Sequence, residues 1–205
     1  MKFSKKIKIS NKIVDQKKCF IVAEVSANHC GKYSTMISLI KKLKKIGVDA
    51  IKIQAYQANT ITINSKKADF KIKQTNTWSK YKTLYQLYKT AETPFDWYKK
   101  IFDFCKKNKI IIFASVFDPS SLQLLEKLKC PAYKIASPEI TDIPLINAVA
   151  RTKKPIIISN GLSNIKDLDL VVKTVKKNKN PNLIILKCTS AYPAPLNEIN
   201  LNTMK

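Results

Sequence analysis

Polar side chains recur at the ends of short apolar runs along this chain, and their types point to an anionic substrate. Glu24 closes Ile21-Val22-Ala23, Gln54 closes Ile51-Lys52-Ile53, and Ser115 closes Ile111-Ile112-Phe113-Ala114. Ser137 follows Tyr133-Lys134-Ile135-Ala136, Ser159 closes Ile156-Ile157-Ile158, and Ser190 follows Leu186-Lys187-Cys188-Thr189. Lys52 and Gln54 are two residues apart and so share one side of a strand. An unpaired lysine is costly to bury, whereas one that meets an anion is tolerated. Lys52, Lys134 and Lys187, read as three inward-facing lysines at comparable strand ends, suit a phosphate ester or a carboxylate, with the serines as hydroxyl donors at the same rim. Singly, each lysine reads as a snorkelling surface residue; together they favour a site.

Glu24 and Glu139 are carboxylates able to hold a sugar hydroxyl, a catalytic water or a metal-bound water. The alternative is internal pairing with the same lysines. Asp118 and Asp142 each precede a helical pattern and read as N-caps without chemistry. His29 is the only histidine. Metal centres of the zinc or manganese type gather several N, O or S ligands, so His29 is one ligand at most and a hydrogen-bonding role is expected of it.

The elements that must position these residues form a repeat. Strands are expected at 19–26, 50–55, 110–115, 132–136, 155–159 and 183–187, and helices at 34–46, 94–108, 143–151 and 164–178, with another after Asp118-Pro119. Gly47 stops the first helix, and Thr93-Pro94 reads as an N-cap followed by Pro at the first helical position. The strands are near-continuous Ile and Val runs, as in a parallel sheet buried on both faces. Functional residues follow every strand rather than one switch point, which favours a (β/α)8 TIM barrel over a flavodoxin-like open sheet. A whole barrel takes roughly 250 residues, so this α/β chain of 205 residues is expected to hold about six of the eight strands. Residues 6–14 alternate around Ser10-Asn11 and read as a β-hairpin. The expected division is a hairpin extension over 1–18 and a partial barrel over 19–205. Within the long polar excursion 56–93, the aromatic residues Trp78, Tyr81, Tyr85 and Tyr88 predict an ordered helical piece.

Composition narrows the class. The formal net charge is +24, but Arg151 is the only arginine and the lysines are spread along the whole chain. Nucleic-acid readers lean on arginine forks, so no nucleic-acid partner is expected, and the surplus charge serves at most to steer anions. The five cysteines are odd in number and form no C-x-x-C pair, a reduced, cytoplasmic pattern. No stretch approaches the roughly 20 apolar residues of a membrane span, and no membrane partner is expected.

The motifs Phe20-Ile21-Val22-Ala23-Glu24-Val25-Ser26-Ala27-Asn28-His29, Ile51-Lys52-Ile53-Gln54, Tyr133-Lys134-Ile135-Ala136-Ser137, the run 156–161, and Lys187-Cys188-Thr189-Ser190-Ala191-Tyr192-Pro193-Ala194-Pro195 resemble the sialic acid synthase family. The resemblance runs from about residue 6 to the last residue in unbroken order. The segment 78–97 and Lys187-Cys188-Thr189-Ser190 are most similar to its pseudaminic acid synthase branch. The resemblance implies condensation of phosphoenolpyruvate with an open-chain diacetamido-trideoxy sugar aldehyde, giving a nonulosonic acid and phosphate, with N-acetylneuraminate or legionaminate synthesis as the near alternatives. It further implies that Lys52, Ser115, Lys134, Ser137, Ser159 and Ser190 hold phosphoenolpyruvate. Glu24, Gln54 and Tyr192 would face the sugar or a metal-bound water, and Glu139 would lie by the reacting carbons. A divalent metal (Mn or Mg) and a homodimer are implied as well.

Two residues depart from the family pattern: Val116 stands where proline is usual, and Tyr98 where this branch commonly has histidine. The family's two histidine metal ligands, its last two strands and its antifreeze-like domain correspond to positions past Lys205. The ligand pair is therefore not expected within these residues, and an inactive remnant, or half of a split barrel, stands as the contrary expectation.

Overall fold

Two short strands, β1 (Ile7–Ile9) and β2 (Lys12–Val14), pair antiparallel, with Ile7 opposite Val14 and Ile9 opposite Lys12. Ile7 and Ile9 are buried and Lys8 between them is exposed, the alternation expected of a hairpin. The computed structural model describes residues 1–73, 78–191 and 193–204, in two units: Met1–Phe20 with Cys130–Lys205, and Ile21–Lys129.

The Ile21–Lys129 unit holds three parallel strands, β3 (Val22–Glu24), β4 (Ala50–Ala55) and β5 (Ile112–Val116). Helix α1 (Tyr33–Ile46) joins the first two and buries Met36 and Ile40, one turn apart on one face. Gly47 ends it in the left-handed conformation (φ 87°), its N–H bonded to the Lys44 carbonyl. Between β4 and β5 lie α2 (Ala58–Ile61), α3 (Leu84–Ala91) and α4 (Phe95–Lys107), and α5 (Pro119–Lys127) follows β5. Helix α4 buries Tyr98, Ile101, Phe102 and Cys105 at helical spacing. The aromatic helix of the excursion is shorter than its sequence pattern: Trp78 and Tyr81 precede α3, and Trp78 is 46% exposed.

The second unit carries β6 (Tyr133–Ile135), α6 (Ile143–Arg151), β7 (Ile156–Ser159), α7 (Ile165–Lys177) and β8 (Leu183–Leu186), with β6, β7 and β8 parallel. Asp142 accepts from Leu145 N at 3.0 Å and Asn164 from Asp167 N at 3.1 Å, so both helices start on side-chain caps. Strand β7 is wholly buried, whereas Ile185 and Leu186 in β8 are 42% and 39% exposed. The six parallel strands alternating with helices are six repeats of the (β/α)8 pattern, three in each unit.

Two local expectations change. Helix α4 begins at Phe95 with Pro94 as its cap residue, because the Thr93 hydroxyl turns to His29 instead of capping. Lys187 lies past the end of β8, and its ammonium donates to the Cys188 carbonyl at 3.0 Å. Register explains the second change. Lys134 pairs with Ile157, Ile157 with Ile184, and Ser159 with Leu186, so Lys134, Ser159 and Leu186 share a face that Lys187, one residue on, leaves.

Candidate active-site residues

In the Ile21–Lys129 unit, pairing register brings the expected residues into one row. Glu24 lies opposite Lys52 and Gln54 opposite Ser115. Directly paired residues on neighbouring strands point the same way, and residues two apart share a face. All four side chains therefore emerge on one side at the C-terminal ends of β3, β4 and β5. Lys52 forms an ion pair with Glu24 and donates to Ser115 Oγ at 3.2 Å. The internal pairing left open by the sequence is thus present. Glu24 also accepts from Ser26 N at 2.9 Å. Its side chain is 35% exposed against 14% for Lys52, so the carboxylate is the more accessible partner of the pair.

Gln54 is fixed from behind. Fully buried Tyr98 donates its phenol to the Gln54 carbonyl at 2.7 Å, and burial, first among its causes, pushes that phenol's pKa well above the ordinary 10. Tyr98 entered the sequence reading only as a departure from a family pattern; its contact is with a residue far away in sequence and carries no local signature.

The second unit gathers Lys134, Ser137, Glu139, Ser159 and Ser190 at and after the ends of β6, β7 and β8. Ser137 Oγ accepts from Gly161 N at 3.2 Å. A Cβ on residue 161 would overlap Ser190 Oγ and lie 3.1 Å from both Ser137 Oγ and Cys188 Cβ, so only glycine lets the two serines approach this closely. Among the described residues, Glu139 Oε2, Ser159 Oγ and Asn160 Oδ1 are buried atoms without a hydrogen-bond partner. Buried polar atoms are ordinarily satisfied, so three without partners at and after the ends of β6 and β7 are candidates for ligand contact. Burial lowers the Lys134 pKa, against the raising influence of Cys188 and Glu139 nearby, and burial raises that of Glu139. Asn160 and Gly161 were not singled out as site residues by the sequence, because their importance depends on Ser137 and Ser190, which come from other strand ends. Tyr192 lies outside the described residues.

His29 is fully buried in the loop after β3. Its Nδ1 accepts from Gly31 N at 3.1 Å and its Nε2 lies 3.2 Å from Thr93 Oγ1. Burial lowers its pKa from the ordinary 6.5. Both nitrogens are engaged, as expected of a hydrogen-bonding rather than metal-ligating histidine. Among the described residues no group of three or more His, Cys, Asp or Glu could hold a metal ion, so these residues do not themselves make a metal centre. No helix among them is long and apolar enough to cross a membrane.

A pseudaminic acid synthase of Campylobacter jejuni is 44% identical over 185 residues, covering 90% of this chain and 53% of that protein. An N,N'-diacetyllegionaminic acid synthase of the same species is 33% identical over 192 residues, covering 92% of this chain and 57% of the relative. The chain thus spans about half the length of the curated relatives it matches. The crystal structure of an N-acetylneuraminic acid synthetase from Leptospira borgpetersenii superposes with a TM-score of 0.84 at 27% identity, over 98% of this chain and 65% of that one. The profile of the NeuB family matches residues 39–205, and with it this chain belongs to the NeuB family.

Proposed function

We propose that the protein is a synthase that condenses phosphoenolpyruvate with an open-chain diacetamido-trideoxy sugar aldehyde, giving a nonulosonic acid of the pseudaminic type and inorganic phosphate. The observation that carries this reading is the polar group of residues at and after the ends of β6, β7 and β8: a half-buried ammonium, the serine–glycine cradle and three buried polar atoms without partners. Higher identity to a pseudaminic than to a legionaminic acid synthase favours the first sugar.

In this reaction C3 of phosphoenolpyruvate forms a bond to the aldehyde carbon, whose oxygen takes up a proton. Water then adds at C2, and the C2–O bond to phosphate breaks. Lys134, Ser137, Ser159 and Ser190 are assigned to the phosphate and carboxylate, and the family resemblance assigns Lys52 and Ser115 to phosphoenolpyruvate as well. Fixed donors aimed at these charges stabilise them without reorganisation during the reaction. Glu24 and Gln54, with Tyr192, are assigned to the sugar or the attacking water. Glu139 handles protons at Oε2, since burial makes its carboxyl hold a proton more readily than an ordinary glutamate. Among the described residues no group of three or more His, Cys, Asp or Glu could hold a metal ion, and no step is assigned to one.

Calorimetric titration with phosphoenolpyruvate, followed by phosphate release on adding each candidate amino sugar in ¹⁸O-water, tests the proposal. Saturable binding that Lys134→Ala weakens at least tenfold, with ¹⁸O in the sugar acid and none in phosphate, is the expected result. Label in phosphate would overturn the C–O cleavage. Binding without turnover by any sugar would mark the chain as a non-catalytic remnant.

A further inference from the structure

The loop between β3 and α1 has an unfavourable backbone shape. Ser26, Cys30 and Gly31 have φ of 47°, 50° and 70°, all left-handed, and two of them are not glycine. The loop starts with Val25 N donating to the Lys52 carbonyl of β4 at 3.0 Å; its other backbone bonds are short-range turns, Asn28 N to the Val25 carbonyl, Cys30 N to Ala27 and Lys32 N to His29. Beyond Val25, a tie to the segment before α4 comes from His29. Its Nδ1 takes the Gly31 N–H, while its Nε2 lies 3.2 Å from Thr93 Oγ1. The ring meets Trp97 edge-on at 5.6 Å between centroids, and Tyr33, the first residue of α1, meets the same indole at 5.5 Å.

We propose that His29 is a positioning residue: a neutral imidazole with its proton on Nε2 that clasps the loop onto the segment before α4 and so holds the Ser26 amide under the Glu24 carboxylate. Chemistry at Nδ1 fixes the tautomer. An atom that accepts from Gly31 N–H carries no proton, which leaves Nε2 as the donor toward Thr93. The consequence reaches Glu24 directly, because Ser26 N donates to its carboxylate and the same carboxylate pairs with Lys52. The assignment of a role to Glu24 rests on the proposed synthase reading; the clasp itself does not.

The single histidine makes the test clean, since every imidazole signal of the 205-residue chain belongs to His29. In the ¹⁵N-labelled chain, long-range ¹H–¹⁵N correlation should show an unprotonated Nδ1 and a protonated Nε2, without averaging. Averaged nitrogens, or a proton on Nδ1, would overturn the proposal. Thr93→Val should move the Nε2 resonance and leave Nδ1 in place; no movement of Nε2 would remove Thr93 from the clasp. In His29→Ala, exchange of the Ser26 amide should rise at least tenfold, and His29→Asn, which retains an acceptor for Gly31, should recover part of that loss. Unchanged Ser26 exchange in His29→Ala would show that the loop does not depend on the ring. These readouts use no substrate, so a chain that fails to bind phosphoenolpyruvate yet passes them separates failure of the synthase reading from failure of the clasp.

Discussion

Gly161 and Ser190 approach so closely that no side chain fits between them. A Cβ on residue 161 would overlap Ser190 Oγ and crowd Ser137 Oγ at 3.1 Å. Ser190 is exposed and its hydroxyl is the end of a small rotatable group, so the protein can absorb the added methyl by turning it away. Gly161→Ala is therefore expected to leave thermal stability within about 1 kcal/mol of the parent. Phosphoenolpyruvate affinity should fall at least tenfold, because the displaced hydroxyls are those assigned to the ligand. Paired thermal melts and calorimetric titrations check this; a normal affinity would remove the serine–glycine cradle from the site.

Tyr98→Phe separates support of the site from the site itself. The phenol is fully buried, donates to the Gln54 carbonyl and also has a hydrogen bond with the Thr93 side chain. Deleting the hydroxyl leaves that carbonyl without the donor and should cost about 1–2 kcal/mol. Urea unfolding followed by tryptophan fluorescence reads the loss. A neutral result would show that the 2.7 Å contact contributes nothing net.

How far the sequence carried depended on whether a feature is local. The β/α repeat is legible because Ile and Val runs and helical spacing are properties of adjacent residues, and Asp118 and Asp142 cap helix starts where short-range capping rules put them. The pairing of Glu24 with Lys52 was foreseen only as one of two alternatives, since choosing between them needs the register of β3 on β4. Thr93 looked like a cap and became a partner of His29, and Lys187 looked equivalent to Lys134 until register placed it off that face. Asn160 and Gly161 acquire meaning only from strand ends that fold beside them. Long-range contacts of this kind leave no periodic trace in the chain.

Asp118 is expected to be a stability hot spot without a role in catalysis. Its carboxylate accepts from Ser121 N at 2.9 Å, Ser121 Oγ at 2.6 Å and Thr60 Oγ1 at 2.9 Å, and from Ser120 Oγ as well. Burial alone would raise its pKa, but these hydrogen bonds outweigh it and the net shift is downward from 3.8. A carboxylate with a lowered folded pKa adds stability that is complete above the unfolded value of 3.8 and is lost as pH falls through the folded one. Asp118→Ala should cost about 2–3 kcal/mol at neutral pH, combining a lost helix cap with orphaned donors. Denaturant titrations should show the gap between parent and variant closing only below about pH 4; a gap that stays constant down to pH 2 would contradict the assignment.

Glu139 should show the opposite sign, because its environment favours the uncharged form. Burial raises its pKa from 4.5, and Oε2 has no hydrogen-bond partner among the described residues. Below pH 4.5 the group is protonated in both folded and unfolded chains and makes no difference to stability. As pH rises, the unfolded chain releases its proton first, so the folded state is progressively penalised until the folded pKa is passed. Glu139→Gln removes that penalty and should stabilise the protein by roughly 1 kcal/mol at neutral pH, with the gain shrinking as pH falls toward 4.5. The same change deletes the group assigned to proton transfer, which is expected to cost on the order of a hundredfold in phosphate release. A variant both more stable and far less active would identify Glu139 as a carboxylate kept in a costly place for its chemistry. Full activity together with the stability gain would instead make it an unused buried acid, and would move proton handling to Glu24.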